Sequence, residues 1–232
     1  MVGKRTIGAE DVLPLLSGYD LWPQLMQGIV VDRALRGIDC SQEETEACYQ
    51  KQIERDAEFL EKRKNRMLLE GVPDEDADFF IRRPVLLEKF KRIRFSSLVD
   101  STFLSMKASL DRVVFCLIRN SNHELMRELF FRLESGEESF ASLAPKYSEG
   151  RESKTSGQLG PIEMRHLNAA LAKVLATAKP GVINPPVVID GLGVITLLQE
   201  KIPARIDEPT RKRILDHLFD EWVKKEVQIY FY

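Results

Sequence analysis

The chain has 232 residues, of which 44% are hydrophobic and 30% charged, and its formal net charge is −2. This composition is typical of a folded protein with one large domain or two small ones. The even charge balance argues against a nucleic-acid-binding protein, in which basic residues are in excess and cluster on one face. No apolar run approaches the roughly 20 residues that a membrane span requires.

The first 23 residues lack the pattern of a signal peptide, because Glu10 and Asp11 interrupt any apolar core. The sequence as given therefore predicts a cytoplasmic protein, and a periplasmic or extracytoplasmic one if a leader has been removed. The cysteines are odd in number and have no CxxC spacing, which predicts small buried hydrophobic residues and neither a disulfide nor a metal site. These cysteines are Cys40, Cys48 and Cys116.

Residues 7–108 are predicted to be helical throughout. Ser41 and Glu44 have the spacing of a capping box, in which the two side chains pair with free amide groups at a helix start. The helix that begins there is predicted to continue to about Leu60. A break is predicted at Pro84, because a proline disfavours the helical conformation in the residue before it.

The apolar pattern changes near Asp111. A continuous apolar run with β-branched residues at 113–118 predicts a strand that is buried on both faces. Ser121 and Glu124 form a second predicted capping box. Helices are predicted at 121–136, 140–147 and 167–178, and two more strands at 186–189 and 194–198. These elements together predict one small α+β domain.

The tail, 206–232, returns to a helical pattern. Ile214, Leu218, Trp222 and Val223 fall on one stripe of this helix. An apolar stripe needs a partner surface, and the N-terminal helical region is the predicted partner.

The middle segment resembles the parvulin family of peptidyl-prolyl isomerases in six pieces that follow the family's order. These pieces are the strand at 113–119, the turn at 133–140, the helix at 141–148, the loop at 157–161, the segment at 181–187 and the strand at 191–195. The outer segments resemble the arrangement in SurA and PrsA, where a C-terminal helix returns after the parvulin module to complete an N-terminal helical domain.

The resemblance implies an α+β fold in which a parvulin-like domain is inserted into a mostly helical SurA-N-like domain. The expected boundaries are 1–110 for the helical chaperone-like domain, 111–202 for the parvulin-like domain, and 203–232 for the C-terminal helix that packs back on the helical domain.

Active parvulins hold two histidines and a cysteine or aspartate in a hydrogen-bonded cluster beneath the substrate amide. The resemblance places the first histidine at Phe115, the cysteine or aspartate at Gly150 or Glu149, the last histidine at Gly193 or Val194, and a preceding polar position at Asp190. The polar cluster is therefore replaced, which implies weak or absent isomerase activity.

The family's apolar pocket is retained in a different shape, because its methionine falls at Leu167 and its phenylalanine at Leu171. The predicted substrate-binding residues are Phe115, Leu159, Ile162, Leu167 and Leu171. Core packing alone also explains these apolar side chains, above all Phe115. Prolyl isomerisation needs neither a metal nor a cofactor, since its barrier of ~18–20 kcal/mol comes from amide resonance.

Three other patterns have simpler explanations. His166, beside Leu167, is predicted to be a half-exposed surface histidine. The string from His123 to Arg127 lacks the second histidine of the zinc motif HExxH, which argues against a metalloprotease. The basic stretch at 89–94 is predicted to be a solvated helix face.

The first functional hypothesis is a SurA-like folding or export factor that binds unfolded or proline-containing polypeptide through its helical and parvulin-like domains. The first alternative is an active isomerase that uses another set of residues, such as His166 and Asp190. The second is an interaction module for one folded partner. A domain built from both chain ends also predicts a homodimer formed by exchange of the C-terminal helix.

Overall fold

The structure, a computed structural model, describes residues 8–231, without the side chains of Ala9, Tyr230 and Phe231. The predicted N-terminal region and C-terminal helix also include residues 1–7 and Tyr232, which lie outside the described residues. The chain divides into two compact units. One unit combines the residues up to Asp100 with those from Glu208 onward, and the other is Ser101–Asp207.

The first unit is helical. Its described helices are α1 (Ala9–Gly18), α2 (Trp22–Leu35), α3 (Gln42–Cys48), α4 (Gln50–Ile53), α5 (Phe59–Leu69), α6 (Asp74–Phe95) and α11 (Glu208–Phe231). A 3-10 turn at Ser96–Leu98 leads from α6 into α7 (Val99–Leu110), which carries the chain into the second unit. No helix among residues 8–231 combines the length and the apolar character needed to cross a membrane.

The capping box at Ser41 is present. The Ser41 hydroxyl accepts a hydrogen bond from the amide of Glu44, whose carboxylate accepts one from the amide of Ser41. The expected long helix, however, ends at Cys48 and is followed by the short α4. Cys48 is exposed and Cys40 half-buried, so the prediction of buried cysteines holds only for Cys116.

The predicted break at Pro84 is wrong, because Pro84 lies inside the continuous helix α6. A proline removes one amide donor and disfavours helix in the preceding residue. The buried side chains of Ile81 and Leu86 lie on either side of it, so packing against the rest of the unit holds the helix through the proline.

The C-terminal helix α11 completes the core of the helical unit, as the sequence predicted. Val223 of α11 is buried with Val31 and Leu35 of α2 and Leu86 of α6. The rings of Phe90 in α6 and Trp222 in α11 pack with their centroids 4.9 Å apart, and Phe219 joins both. The helical domain is therefore built from both ends of the chain.

The basic stretch at 89–94 is not simply a solvated face. Lys91 is buried, and its Nζ lies 2.6 Å from Asp216 Oδ1 and 3.0 Å from Glu88 Oε1. Burial disfavours the charged amine, but the hydrogen bonds and charges of Asp216 and Glu88 outweigh it and raise the pKa of Lys91. Lys91 thus links α6 to α11 by an ion pair at the edge of the core, in which the amine is buried and the carboxylate of Asp216 is partly exposed.

The second unit contains an antiparallel four-stranded sheet of order β2-β1-β4-β3. Its strands are β1 (Arg112–Asn120), β2 (Gln158–Glu163), β3 (Ile183–Ile189) and β4 (Leu192–Ile202), and its helices are α8 (His123–Glu134), α9 (Phe140–Tyr147) and α10 (Ala169–Thr177). The central strand β1 is buried on both faces, as predicted.

Alternating side chains of β1 belong to two separate cores, because successive residues of a strand point to opposite faces. Cys116 and Ile118 pack with Met126 and Leu129 of α8 on one face. Phe115 and Leu117 face the other side and pack beneath α10.

The edge strand β2 was not predicted, because its sequence reads as a glycine-rich loop. Gly160 has a φ of 119°, and a Cβ at this position would lie 2.5 Å from the carbonyl oxygen of Val113. Only glycine permits so close an approach of β2 to β1. The second capping box also differs, because Asn122 and not Ser121 caps α8 by accepting hydrogen bonds from the amides of Glu124 and Leu125.

Candidate functional site

The site lies on the face of the sheet that α10 covers. Phe115 of β1 has no exposed surface and packs with Met164, Leu175 and Val194. The other predicted binding residues, which are half-buried, surround this cluster: Leu159, Ile162, Leu167 and Leu171. The structure therefore brings all five predicted substrate-binding residues into one apolar cluster, with Phe115 at its inaccessible centre.

A cavity of about 110 Å³ opens beside this cluster. Its apolar wall consists of Leu117, Leu171, Ile189, Leu192 and Val194. Its polar wall consists of Arg119, Asn168 and Asp190. The cavity is smaller than the roughly 300–1,000 Å³ of sites for drug-sized ligands, so it fits one side chain of a larger ligand.

Arg119, at the end of β1, is held by the buried carboxylate of Glu152. The Nε of Arg119 lies 3.0 Å from Oε1 of Glu152, and Nη2 lies 3.1 Å from Oε2. The Ser148 hydroxyl donates a third hydrogen bond to Oε1 at 2.6 Å. A two-point pair of this kind fixes the plane of the guanidinium as well as its position.

Gly150 lies against this ion pair. A Cβ at Gly150 would overlap Nε of Arg119 and Oε2 of Glu152. The cysteine or aspartate that the resemblance expects at this position is therefore sterically incompatible with the ion pair. Glu149, the alternative for this position, instead accepts hydrogen bonds from the amide and the hydroxyl of Ser121.

Asp190 occupies the turn between β3 and β4 with a φ of 50°, a conformation in which aspartate and asparagine are enriched among residues with side chains. Its Oδ2 accepts a hydrogen bond from Nδ2 of Asn168 at 3.0 Å. The Oδ1 of Asn168 accepts one from the amide of Ala170 and so caps α10. Asn168 thus fixes the Asp190 carboxylate relative to the helix that covers the cavity.

The two candidates for the last-strand histidine position lie on opposite faces of the sheet. Val194 is buried in the cluster of Phe115 and lines the cavity. Gly193 faces α8, where a Cβ would lie 2.9 Å from Cγ of Met126. Val194 is therefore the one of the two that shares the face of the site.

Neither histidine of the alternative interpretations lies at the cavity. His166 is exposed in a 3-10 turn. Nε2 of His123 lies 3.2 Å from the carbonyl oxygen of Gly191, on the other side of the sheet. Among residues 8–231, no group of three or more histidine, cysteine, aspartate or glutamate side chains is arranged to hold a metal ion.

The helical unit has a cavity of its own, of about 440 Å³, between α2, α6 and α11. Val31, Leu87, Phe219 and Val223 supply its apolar lining. Several large apolar side chains of α1 and α2 are also exposed. They are Val12, Leu13, Trp22, Leu25 and Ile29. Apolar surface of this kind, when contiguous, is a usual feature of binding sites for proteins and peptides.

Sequence reasoning missed the polar residues of the site: Arg119, Glu152 and Asn168. Arg119 was accessible from the sequence, because it follows Phe115 and Leu117 with the two-residue period of one strand face. Asn168 precedes a helix, where asparagine is a favoured cap. Nothing in the sequence marks Glu152 as a buried site residue, since an acidic residue in a polar loop is expected to be exposed.

Comparison with known proteins agrees with this architecture. Residues 119–198 match the Rotamase family model, described as the PPIC-type PPIase domain. The structure of the peptidylprolyl isomerase PrsA from Bacillus cereus is 19% identical in sequence, and its match covers 98% of this chain and 84% of that chain with a TM-score of 0.53. No curated protein matches the sequence.

Two further structures match at lower TM-scores. The foldase protein PrsA from Streptococcus pneumoniae is 14% identical, and the match covers 100% of this chain and 92% of that chain with a TM-score of 0.46. A structure from a study of two SurA-like chaperones of Campylobacter jejuni is 16% identical, covering 99% and 93% of the two chains with a TM-score of 0.40.

The match to the family model and the fold of the Bacillus cereus protein confirm the resemblance that the sequence motifs indicated. The chain has a PrsA-like fold, and its residues 119–198 carry a parvulin-type, PPIC-type peptidyl-prolyl isomerase domain.

Proposed function

We propose that this protein is a SurA/PrsA-like folding or export factor that binds unfolded polypeptide and has little or no prolyl isomerase activity. The observation that carries this proposal is the apolar cluster of the PPIC-type domain and the cavity beside it. Phe115 is buried in this cluster, Val194 belongs to both the cluster and the cavity wall, and Gly150 lies against Arg119. These three residues occupy the positions at which the resemblance places the polar cluster. The proposal also places the protein outside the cytoplasm. One of the two SurA-like chaperones of Campylobacter jejuni named above is described as a periplasmic protein.

The capacity to bind polypeptide rests on half-buried apolar side chains. Leu159, Ile162, Leu167 and Leu171 surround a cluster whose centre is closed by Phe115. Burying about 100 Å² of apolar ligand surface there contributes roughly 2.5 kcal/mol. The cavity beside them admits one side chain, such as a proline ring, while the rest of a chain remains extended.

The expected lack of catalysis follows from the missing proton-donating groups. An isomerase lowers the barrier by favouring the twisted amide with donors placed in a desolvated pocket. The Phe115 and Val194 side chains have no donor, and Gly150 has no side chain. The Arg119 guanidinium is a donor, but Glu152 engages two of its nitrogens, so a single nitrogen remains in place of the family's three-residue polar cluster.

The helical unit supplies a second binding surface. Its cavity of about 440 Å³ falls within the size range of ligand sites, and the same unit exposes further apolar side chains on α1 and α2. A folding factor that holds unfolded clients needs apolar surface with little sequence preference, and this unit offers it.

Two measurements test the proposal. The full chain is mixed with several unrelated chemically denatured proteins as they are diluted into buffer, and aggregation is followed by light scattering. Suppression of aggregation of most clients is expected. Suppression of none, or of a single one, contradicts a general folding factor and favours an interaction module for one partner.

The second measurement is a protease-coupled isomerase assay on a proline-containing tetrapeptide at high protein concentration. A rate close to the uncatalysed one is expected. Turnover at the level of an active parvulin favours the alternative enzyme, for which the position of Asp190 at the cavity is the one supporting observation.

A further inference from the structure

The polar wall of the cavity has hydrogen-bonding capacity that the protein leaves unused. Glu152 engages Nε and Nη2 of Arg119, while Nη1 has no partner among the described residues. The Arg119 side chain is 39% exposed, so this nitrogen is accessible to a ligand. It offers one fixed donor at the edge of the cavity.

Asp190 offers the matching acceptor. Its Oδ2 is engaged by Asn168, and Oδ1 has no partner among the described residues. Both polar atoms of the Asn168 side chain already have partners, since Nδ2 donates to Asp190 and Oδ1 accepts from the amide of Ala170. The cavity therefore presents one free donor and one free acceptor around an apolar wall.

The charges around the cavity do not cancel. The carboxylate of Glu152 neutralises the guanidinium of Arg119, which leaves the carboxylate of Asp190 as a net negative charge. An acidic ligand is disfavoured by Asp190 and gains little from an arginine that is already paired.

We propose that this cavity recognises an uncharged polypeptide segment through its backbone, with Arg119 Nη1 donating to a carbonyl oxygen and Asp190 Oδ1 accepting from an N–H. An apolar side chain of that segment fills the space against Leu171 and Val194. Segments with acidic residues beside this side chain bind more weakly, because Asp190 repels them. This inference rests on the proposed function and specifies the substrate class of the same site.

Gly150 and Glu152 are positioning residues in this scheme. The Glu152 carboxylate holds the plane of the guanidinium, and the missing side chain at Gly150 provides the space that the ion pair occupies. The donor Nη1 therefore stays at the cavity without a ligand, which lowers the entropic cost of binding.

The first experiment compares two blocked peptides by NMR titration of the ¹⁵N-labelled full chain. One peptide is Gly-Ala-Val-Pro-Ala-Gly, and the other carries glutamate in place of both alanines. The uncharged peptide is expected to bind about fivefold or more tightly than the acidic one. The Asp190→Asn variant, which keeps the turn conformation and the acceptor for Asn168, is expected to reduce this preference to less than twofold.

The second experiment removes the donor. Because a lone Arg119→Met substitution leaves a buried carboxylate unpaired, Arg119→Met is combined with Glu152→Gln. Affinity for the uncharged peptide is expected to fall about tenfold, as expected for the loss of one charge-assisted hydrogen bond. Lys173→Met, which removes an exposed positive charge from α10, is the matched control and is expected to bind like the wild type.

The outcomes separate the two proposals. Equal binding of both peptides, tighter binding of the acidic one, or full affinity in the Arg119 variant overturns the backbone-recognition scheme and leaves polypeptide binding intact. Absence of binding by the wild type to either peptide overturns the proposed role of the PPIC-type domain together with this inference.

Discussion

Arg119 and Glu152 form a two-point ion pair in which Nε lies 3.0 Å from Oε1 and Nη2 lies 3.1 Å from Oε2. The Glu152 side chain is only 2% exposed, whereas that of Arg119 is 39% exposed. The pair occupies the space beside Gly150, where the parvulin resemblance expects a cysteine or an aspartate. A half-buried ion pair thus lies beside the position at which the resemblance expects part of the polar cluster.

Because the ion pair fills the space beside Gly150, even a methyl group at this position should destabilise the protein. In Gly150→Ala, the new methyl group is expected to displace the partly exposed Arg119 side chain into solvent. The Glu152 carboxylate is then expected to stay buried without its partner. A buried charge that loses its partner costs about 3 kcal/mol, so the free energy of unfolding should fall by about that amount in urea denaturation. The same substitution in an Arg119→Met, Glu152→Met background should cost less than about 0.5 kcal/mol. Equal costs in both backgrounds contradict the explanation.

A histidine at position 115, where the resemblance places the first histidine of the family, should not confer isomerase activity. In Phe115→His, an imidazole replaces a fully buried ring without a partner, and we expect a loss of about 3 kcal/mol of stability and no increase in isomerase rate. Thermal melting and the protease-coupled assay measure the two effects. Phe131→His, at a position that is 64% exposed, is the control and should leave the melting temperature nearly unchanged. Appreciable turnover by Phe115→His shows that the rest of the site remains catalytically competent.

The helical unit should depend on α11. Trp222→Ala removes a ring that packs 4.9 Å from Phe90 and 5.8 Å from Phe219, and should destabilise the unit by about 3 kcal/mol. Lys225→Ala, an exposed change on the same helix, should alter stability by less than about 0.5 kcal/mol.

Truncation after Pro203 removes α11, which exposes the apolar surface of α2 and α6 that it covers and should cause aggregation. A soluble truncated chain with a cooperative melt contradicts the composite domain.

Exchange of α11 between two copies, which would form a homodimer, stays a prediction. Light scattering over a range of protein concentrations tests it by measuring whether the mass rises above that of the monomer.

Lys91 should make the stability of the helical unit fall at alkaline pH. Its pKa in the folded state is raised above the ordinary 10.5 because the interactions with Asp216 and Glu88 outweigh the effect of burial. The folded state then binds more protons than the unfolded state above pH 10.5, so this stabilisation is complete below that pH and is lost as the pH rises through the raised pKa. Urea denaturation from pH 9 to 11.5 measures it. The stability difference between wild type and Lys91→Met should shrink over this range, and a constant difference contradicts the prediction.

The sequence by itself determined the parts of the fold that depend on local pattern. The apolar run of β1 predicted a strand buried on both faces, and the stripe of Trp222 and Val223 predicted a helix that packs on the N-terminal helices. Both predictions succeed because periodic burial follows directly from backbone geometry. The motif order also placed the PPIC-type domain, which the family model matches.

Only the tertiary structure decided what depends on contacts between distant residues. Packing around Ile81 and Leu86 keeps α6 continuous through Pro84, although local preference predicts a break. The close approach of Gly160 to Val113 creates the edge strand β2 from a loop-like sequence. Arg119 and Glu152 are 33 residues apart, and nothing in a linear pattern marks an acidic residue as buried. Pairing stabilises a buried charge only when the fold has brought both partners together, so the polar side of the site is set by tertiary structure and not by sequence pattern.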